Sequence, residues 1–197
     1  AVGELRPLPN VHYKDSEDLY HSLELQVIKD AEIGDEVGFG QYDNAQLKWF
    51  VLDKTEDSAL LFKREALTRA QMEPYNEEQV NTTWETSHLR EWLNSTYMDD
   101  VFSEKEQAAI KTTVVPADDN EKYEISGGKD TKDKVYIFSR SDFLKYGSQL
   151  YTTQASWWLR TPGSTSKSAM FIDPKKNIMD YGYDVTCREI STKPVMW

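Results

Sequence analysis

Apolar and polar positions alternate at several places along this chain. Leu23, Leu25 and Val27 are interleaved with Glu24 and Gln26, a period of two that predicts a half-buried strand. Leu47, Trp49 and Val51 repeat the pattern, and Ala59 to Phe62 form a short apolar run. Both read as strands, separated by a polar turn from Asp53 to Ser58. Gly34, Gly38 and Gly40 mark the preceding segment as turn-rich. The middle of the chain changes to a helical period. Trp84, His88, Leu89, Trp92 and Leu93 fall on one helical face, behind Thr82 and Glu85 in capping-box spacing, and Asn94 is placed to end the helix. A second box, Ser103 and Glu106, opens a helix through Ala108, Ala109 and Ile110. A third helix is predicted from Ser139 to Tyr146, with Gly147 where a left-handed residue would end it.

Pro116 to Lys134 is charged and contains glycine, so it reads as a long surface loop. Val135 to Phe138 is a short apolar run. The last forty residues look all-β: Trp157–Leu159, Ala169–Ile172, Ile178–Tyr183 and Val195–Trp197. Helices in the middle and strands at both ends give an α+β class rather than alternating βαβ units. The two terminal strand groups can pair to close one sheet. Residues 1–20 are polar, carry Pro7 and Pro9 and show no period, so they are expected to be an arm or linker ahead of a single domain over 21–197.

The 197 residues suffice for one domain with a real core, and 39% hydrophobic with 29% charged residues is an ordinary globular composition. The net charge of −11 changes the picture more. Such a field repels phosphates, so neither nucleic acid nor an anionic membrane surface is an expected partner. No segment approaches the about 20 apolar residues of a spanning helix, which argues against membrane insertion, and Ala1 to Asn10 shows no signal-peptide pattern. A start at Ala1 without Met points to a trimmed or mature form. The single Cys187 allows no intrachain disulfide, and it suits a reducing cytosol as well as a bacterial surface protein that avoids disulfides.

Catalytic signatures are missing. There is no G-x-G-x-x-G, H-E-x-x-H or G-x-S-x-G, and Gly163 to Ser168 has one glycine where a phosphate loop needs two. His12, His21 and His88 are scattered and too few to mark a zinc site. Ser87 and His88 are neighbours on a helix, about 100° apart, and do not face each other as nucleophile and base; Ser87 is expected to bond backbone or a neighbour. Asp118, Asp119, Asn120 and Glu121, with Asp130 and Asp133 nearby, offer oxygen ligands of the kind calcium takes but match no EF-hand spacing, so a solvated acidic loop is the favoured reading and no cofactor is expected. Cys187 beside Arg188 reads as a buried thiol rather than a reactive one.

Two strings are more specific: Trp84-Glu85-Thr86-Ser87-His88-Leu89-Arg90-Glu91-Trp92-Leu93-Asn94 and Trp157-Trp158-Leu159-Arg160-Thr161-Pro162-Gly163. They are accompanied by Gly34-Asp35, Val37 to Gly40, Trp49 to Leu52, Phe102-Ser103, Asp133-Lys134-Val135, Phe138-Ser139 and the closing Lys193-Pro194-Val195-Met196-Trp197. In this order, from about residue 30 to the end, they resemble an uncharacterised bacterial domain family, a domain of unknown function common in surface and secreted proteins of gut bacteria. Where that family usually has Gly-Val-Arg-Pro, this chain has Ser191-Thr192-Lys193-Pro194, and loses a guanidinium. The pattern in turn resembles the C-type lectin-like fold in the variant of formylglycine-generating enzymes. The resemblance implies that fold, and an extracellular or cell-surface setting. It does not carry either known chemistry across. Formylglycine generation needs a cysteine pair, and only Cys187 is present. The lectin calcium loop is echoed only loosely by Glu73-Pro74-Tyr75-Asn76, with no Trp-Asn-Asp strand.

Trp84, Trp92 and Leu93 read as core, with Arg90 pointing away from them to bond loop carbonyls or an acid. Trp157 and Trp158 are adjacent, so on a strand they face opposite sides. Arg160 shares the side of Trp158, where the two can stack or form one wall of a pocket; a structural role and a ligand role both stand for this pair. Tyr181, Tyr183 and Asp184 put flat rings beside a carboxylate, the chemistry of sugar sites and also of protein hot spots. The expectation is a non-enzymatic binding module for a glycan or protein ligand. It would use loops of 115–133 and 157–185, with Trp158, Arg160, Tyr181, Tyr183 and Asp184 at the ligand. A hydrolase using Asp and Glu, or a spacer without a ligand, are the alternatives.

Overall fold

The computed structural model describes residues 13–67, 74–151 and 154–197. Residues 1–12 of the expected 1–20 arm, and Glu73 of the Glu-Pro-Tyr-Asn string, lie outside them. The architecture is mixed α and β, with antiparallel sheets and mostly short helices. Helix α1 (Tyr13–Asp30) leads into β1 (Glu36–Tyr42), β2 (Ala45–Lys54) and β3 (Ala59–Lys63). Three short helices follow: α2 (His88–Leu93), α3 (Thr96–Val101) and α4 (Glu104–Ala109). Then come β4 (Thr113–Val115), β5 (Thr131–Asp133), α5 (Arg140–Tyr146), β6 (Trp157–Pro162), β7 (Ser168–Ile172), β8 (Ile178–Asp184) and β9 (Val195–Met196).

The strands form a four-stranded sheet in the order β1-β2-β3-β9, a β4-β5 pair, and a three-stranded β6-β7-β8 sheet. The C-terminal β9 closes against β3, with Leu61 opposite Met196 and Phe62 opposite Val195. The terminal strand groups therefore meet in part: β9 joins the first sheet, and β6 to β8 keep their own. The two sheets are joined through aromatic packing. Phe62 lies 4.8 Å from Phe138 and 5.6 Å from Trp157 between ring centroids, and Trp157 also meets Phe143. The β3 strand is buried along its whole length, which is why Ala59–Phe62 reads as an unbroken apolar run rather than an alternating one.

Three sequence expectations change. Leu23, Leu25 and Val27 lie on helix α1, not on a strand, and that helix already begins at Tyr13, within the segment expected to be an arm. Leu19, Leu23 and Val27 are one helical turn apart and face solvent, while Leu25 and Ile28 pack on the core. Apolar residues on both faces of a helix produced a false period of two. Second, α2 starts at His88 with Ser87 as N-cap, its hydroxyl accepting from the Arg90 amide at 3.2 Å. The Thr82–Glu85 box does not form, because the Thr82 hydroxyl donates to the Val80 carbonyl and the Thr82 amide to Ser166. Third, the glycine-rich stretch 36–42 is a strand with a bulge rather than a turn, and Gly40 takes a positive φ there. The Ser103–Glu106 box forms as expected, and so does the Ser139 cap of α5. Gly147 stays right-handed, φ −60°, and continues into a 3₁₀ turn.

Candidate functional site

The Trp157–Gly163 string forms β6, whose six residues are all buried. Trp158 is 0% exposed and Arg160 5%. The two do not stack on each other. The strand register shifts between Trp158 and Pro162, and Arg160 instead lies over the Tyr136 ring at 5.8 Å. Its Nη1 donates to the Ile137 carbonyl at 2.8 Å and to the Asp142 carboxylate, and its Nε to the Pro116 carbonyl at 3.3 Å. Arg160 thus ties the start of the 116–134 loop to α5 and the 135–138 run.

Trp158 is one link in a line of edge-to-face rings. Trp84 meets Tyr75, Tyr75 meets Trp158, Trp158 meets Phe171, and Phe171 meets both Tyr181 and Tyr183, with centroids 5.6–6.4 Å apart. The line starts at the first Trp-rich string and ends at the surface. Tyr181 and Tyr183 are 49% and 53% exposed, two residues apart on the outer side of β8. Gly182 between them takes φ +71° and lies against the Gly163 backbone, where a Cβ would come within 2.7 Å of the Gly163 Cα. That strained turn is open to glycine at little cost. It carries the two rings to an open groove lined also by Ser164, Thr165, Ser166 and Lys167. Asp184 lines it as well. Its carboxylate accepts from the Thr186 hydroxyl and amide at 2.7 and 2.9 Å and from the Gln79 amide, and the Thr186 hydroxyl is the main reason its pKa lies below the usual range. Of the five predicted residues, the structure brings Tyr181, Tyr183 and Asp184 together on this groove. Trp158 and Arg160 lie beneath the surface.

The acidic loop residues are used by the fold. Asp118 accepts from the Ser141 and Thr161 hydroxyls at 2.6 Å, Asp119 from the Gly127 amide at 2.6 Å, and Asp130 from the Ala117 amide at 2.8 Å. Asp133 is buried and accepts from Trp84 Nε1 at 2.9 Å, Arg90 Nε at 2.7 Å and the Thr131 hydroxyl at 2.6 Å. Asn120 is buried too, and its amide donates to the Pro162, Gly163 and Asp180 carbonyls, so it fastens this loop to the back of the β6–β8 sheet.

Among the described residues, one set of three potential metal ligands converges, and it lies elsewhere: His21, Glu24 and Glu106, with ligand atoms within 4.8 Å of one another. His21 Nδ1 is 3.6 Å from Glu24 Oε2 and 3.9 Å from Glu106 Oε1. Burial, and then the neighbouring Glu106, push the Glu24 carboxyl up to about 7. No sequence signal groups these three, because His21 reads as one of three scattered histidines, Glu24 as part of a strand and Glu106 as part of a helix cap.

The model of a family described as a domain of unknown function, DUF6273, matches residues 48–197. The chain belongs to the DUF6273 family. No curated protein and no solved structure matches it. Both Trp-rich strings, the tyrosine groove and Glu106 lie within the DUF6273 match, whereas α1 and β1, and with them His21 and Glu24, lie before it. Within the DUF6273 segment, Lys193 is buried beside the junction of the two sheets. Its ammonium lies over the Phe62 and Trp157 rings at 4.7 and 5.9 Å and donates to the Arg64 carbonyl at 2.7 Å. Burial, and then the nearby Lys63, pull it down to about 7. No helix among the described residues of this DUF6273 chain is long and apolar enough to cross a membrane.

Proposed function

We propose that this DUF6273 chain is a non-enzymatic binding module of a bacterial surface or secreted protein. In this reading it recognises a glycan in the groove between Tyr181, Tyr183 and the Ser164–Lys167 loop. The observation that carries it is the pair of half-exposed tyrosine rings, propped edge-on by Phe171 and ending a buried line of aromatics. Rings held in place from behind lose little freedom when a ligand stacks on them. They offer flat apolar faces for a sugar ring, while the Ser164, Thr165 and Ser166 hydroxyls, Lys167 and Asp184 supply donors and acceptors for its hydroxyls. A C-type lectin-like arrangement remains our reading of the fold. It draws support from the C-terminal strand closing on β3 and from the loop that Asn120 fastens to the β6–β8 sheet.

The close carboxylate pair that a hydrolase would need does not favour this groove: Glu24 and Glu106 face His21, and Glu106 lines a different recess. A protein ligand would use the same tyrosines. The test is a broad glycan array with the wild-type chain and with Tyr181→Ala/Tyr183→Ala. The expected result is a specific glycan hit that the double variant loses while its melting temperature is unchanged. Absence of any specific hit, or a hit indifferent to both tyrosines, overturns the glycan reading.

A further inference from the structure

His21 and Glu24 are three residues apart on α1 and so share one helical face. That face lies over the N-terminus of α4, where the Ser103–Glu106 capping box holds the Glu106 carboxylate. Two buried carboxylates and an imidazole converge there from segments more than eighty residues apart in sequence.

Each carboxylate is held by one set of protein donors and turns an oxygen inward. Glu24 Oε1 accepts from Gln46 Nε2 at 2.9 Å. Glu106 Oε2 accepts from the Ser103 amide and hydroxyl at 2.7 Å, and its Oε1 from the Gly40 amide at 3.1 Å. Glu24 Oε2 has no hydrogen-bond partner, although its side chain is only 4% exposed, and the facing His21 Nδ1 has none either. A buried carboxylate oxygen without a donor is costly. An isolated pair of buried carboxylates repels itself as well. A divalent cation held between the two carboxylates and the imidazole would relieve both costs.

We propose that His21 Nδ1, Glu24 Oε2 and Glu106 Oε1 form a binding site for a divalent metal ion of the zinc class, which fastens helix α1 to the DUF6273 domain. Zinc-class ions hold N and O donors at about 2.0–2.1 Å, which places neighbouring donors about 3.3 Å apart in a tetrahedron. The observed 3.6 and 3.9 Å separations from His21, and a Glu24–Glu106 separation within 4.8 Å, would contract toward it on binding. One imidazole with two carboxylates suits zinc, cobalt or manganese; magnesium and calcium prefer an all-oxygen shell. The Gln46, Ser103 and Gly40 donors are the outer partners that orient ligating carboxylates. His21 and Glu106 also border a recess with Tyr20, Gln41 and Asp99, from which water would supply a fourth ligand. The metal would join residues that precede the family match to a residue within it.

Titration of the untagged chain over residues 1–197 with zinc chloride by calorimetry tests the site, with cobalt(II) absorption as a geometric readout and hydrogen exchange of residues 13–30 as a structural one. The wild type is expected to bind one equivalent, to show tetrahedral cobalt bands, and to gain exchange protection in α1 on adding zinc. Glu24→Gln keeps the shape and the Gln46 contact and is expected to fold, and because His21→Ala removes a mostly buried ring, 18% exposed, its melting temperature is measured alongside. Each is expected to weaken zinc binding by about 100-fold or more and to abolish the added protection. No saturable one-to-one binding by the wild type overturns the proposal, and so does unchanged binding by both variants.

Discussion

Arg90 Nε lies 2.7 Å from Asp133 Oδ1, and this contact joins the first Trp-rich string to the end of the long loop. The same carboxylate receives the indole N–H of Trp84, so two residues of the string share one buried acceptor. Asn94 adds a second clamp: its side-chain oxygen accepts from the Lys134 and Val135 amides, and its amide donates to the Val135 carbonyl. The string therefore works as a bracket for residues 133–135. Asp133→Ala leaves the Trp84 donor buried without a partner and frees a part-buried guanidinium, and should lower unfolding free energy by about 2–4 kcal/mol. Asp133→Asn keeps an acceptor and should lose less. Urea denaturation of both variants checks the order.

Trp158 and Tyr181 belong to one aromatic line but should respond in opposite ways. Trp158 is fully buried between Tyr75 and Phe171, so Trp158→Ala should cost about 3–5 kcal/mol and change ligand binding only by unfolding the sheet. Tyr181 is half-exposed, so Tyr181→Ala should cost about 1 kcal/mol or less while removing one wall of the groove. Thermal melts measured alongside any binding assay separate the two. A Tyr181→Ala chain that melts as low as Trp158→Ala would show that the outer ring is part of the core.

Much of this fold was legible because its signals are local. The Ser103–Glu106 box and the Ser139 cap are satisfied by backbone within three residues, and β2, β3 and the last four strands follow their apolar patterns. The errors arise where distant residues decide. Thr82 and Glu85 have capping-box spacing, but Thr82 is tied to Ser166 and Trp84 is drawn to Asp133, so the helix waits for Ser87. At the site, Tyr181, Tyr183 and Asp184 share a short strand and could be grouped by sequence alone. Arg160 could not be placed, because the register shift in β6 separates it from Trp158 and commits it to Asp142 and two carbonyls. The His21–Glu24–Glu106 group was invisible for a similar reason: its members meet only after α1 has docked.

The groove depends on Gly182. With φ +71° and the Ala169 carbonyl oxygen 2.5 Å from where a Cβ would stand, no side chain fits without moving β7 or β8. Gly182→Ala combines a left-handed penalty with a backbone clash, and should cost about 2 kcal/mol or more. It should also turn Tyr181 and Tyr183 relative to each other. Denaturant midpoints report the first effect. The second would appear as altered near-ultraviolet circular dichroism in the folded chain, and an unchanged spectrum would show that the rings are positioned by Phe171 alone.

Lys193 gives the fold a dependence on alkaline pH. Burial holds its ammonium near a pKa of about 7, against 10.5 for a free lysine, with Lys63 adding to the shift and Glu65 opposing it. Between those values the unfolded chain binds a proton that the folded chain has released, so stability rises with pH across this window. Below about pH 7 both states carry the charge, and the full cost of burying it is present. The slope cannot exceed about 1.4 kcal/mol per pH unit, the limit for one proton. Lys193→Met removes the titrating group and keeps an unbranched apolar stem beside Phe62 and Trp157. It should flatten the rise in unfolding free energy between pH 7 and 10 and raise stability at pH 7, both measured by urea denaturation across that range. A wild-type profile that is flat or falling over this interval, or a Met variant with the same slope, would show that Lys193 is solvated and charged in the folded chain. In that case the ammonium over the Phe62 and Trp157 rings, rather than a neutral amine, would be what holds the end of the chain against β3.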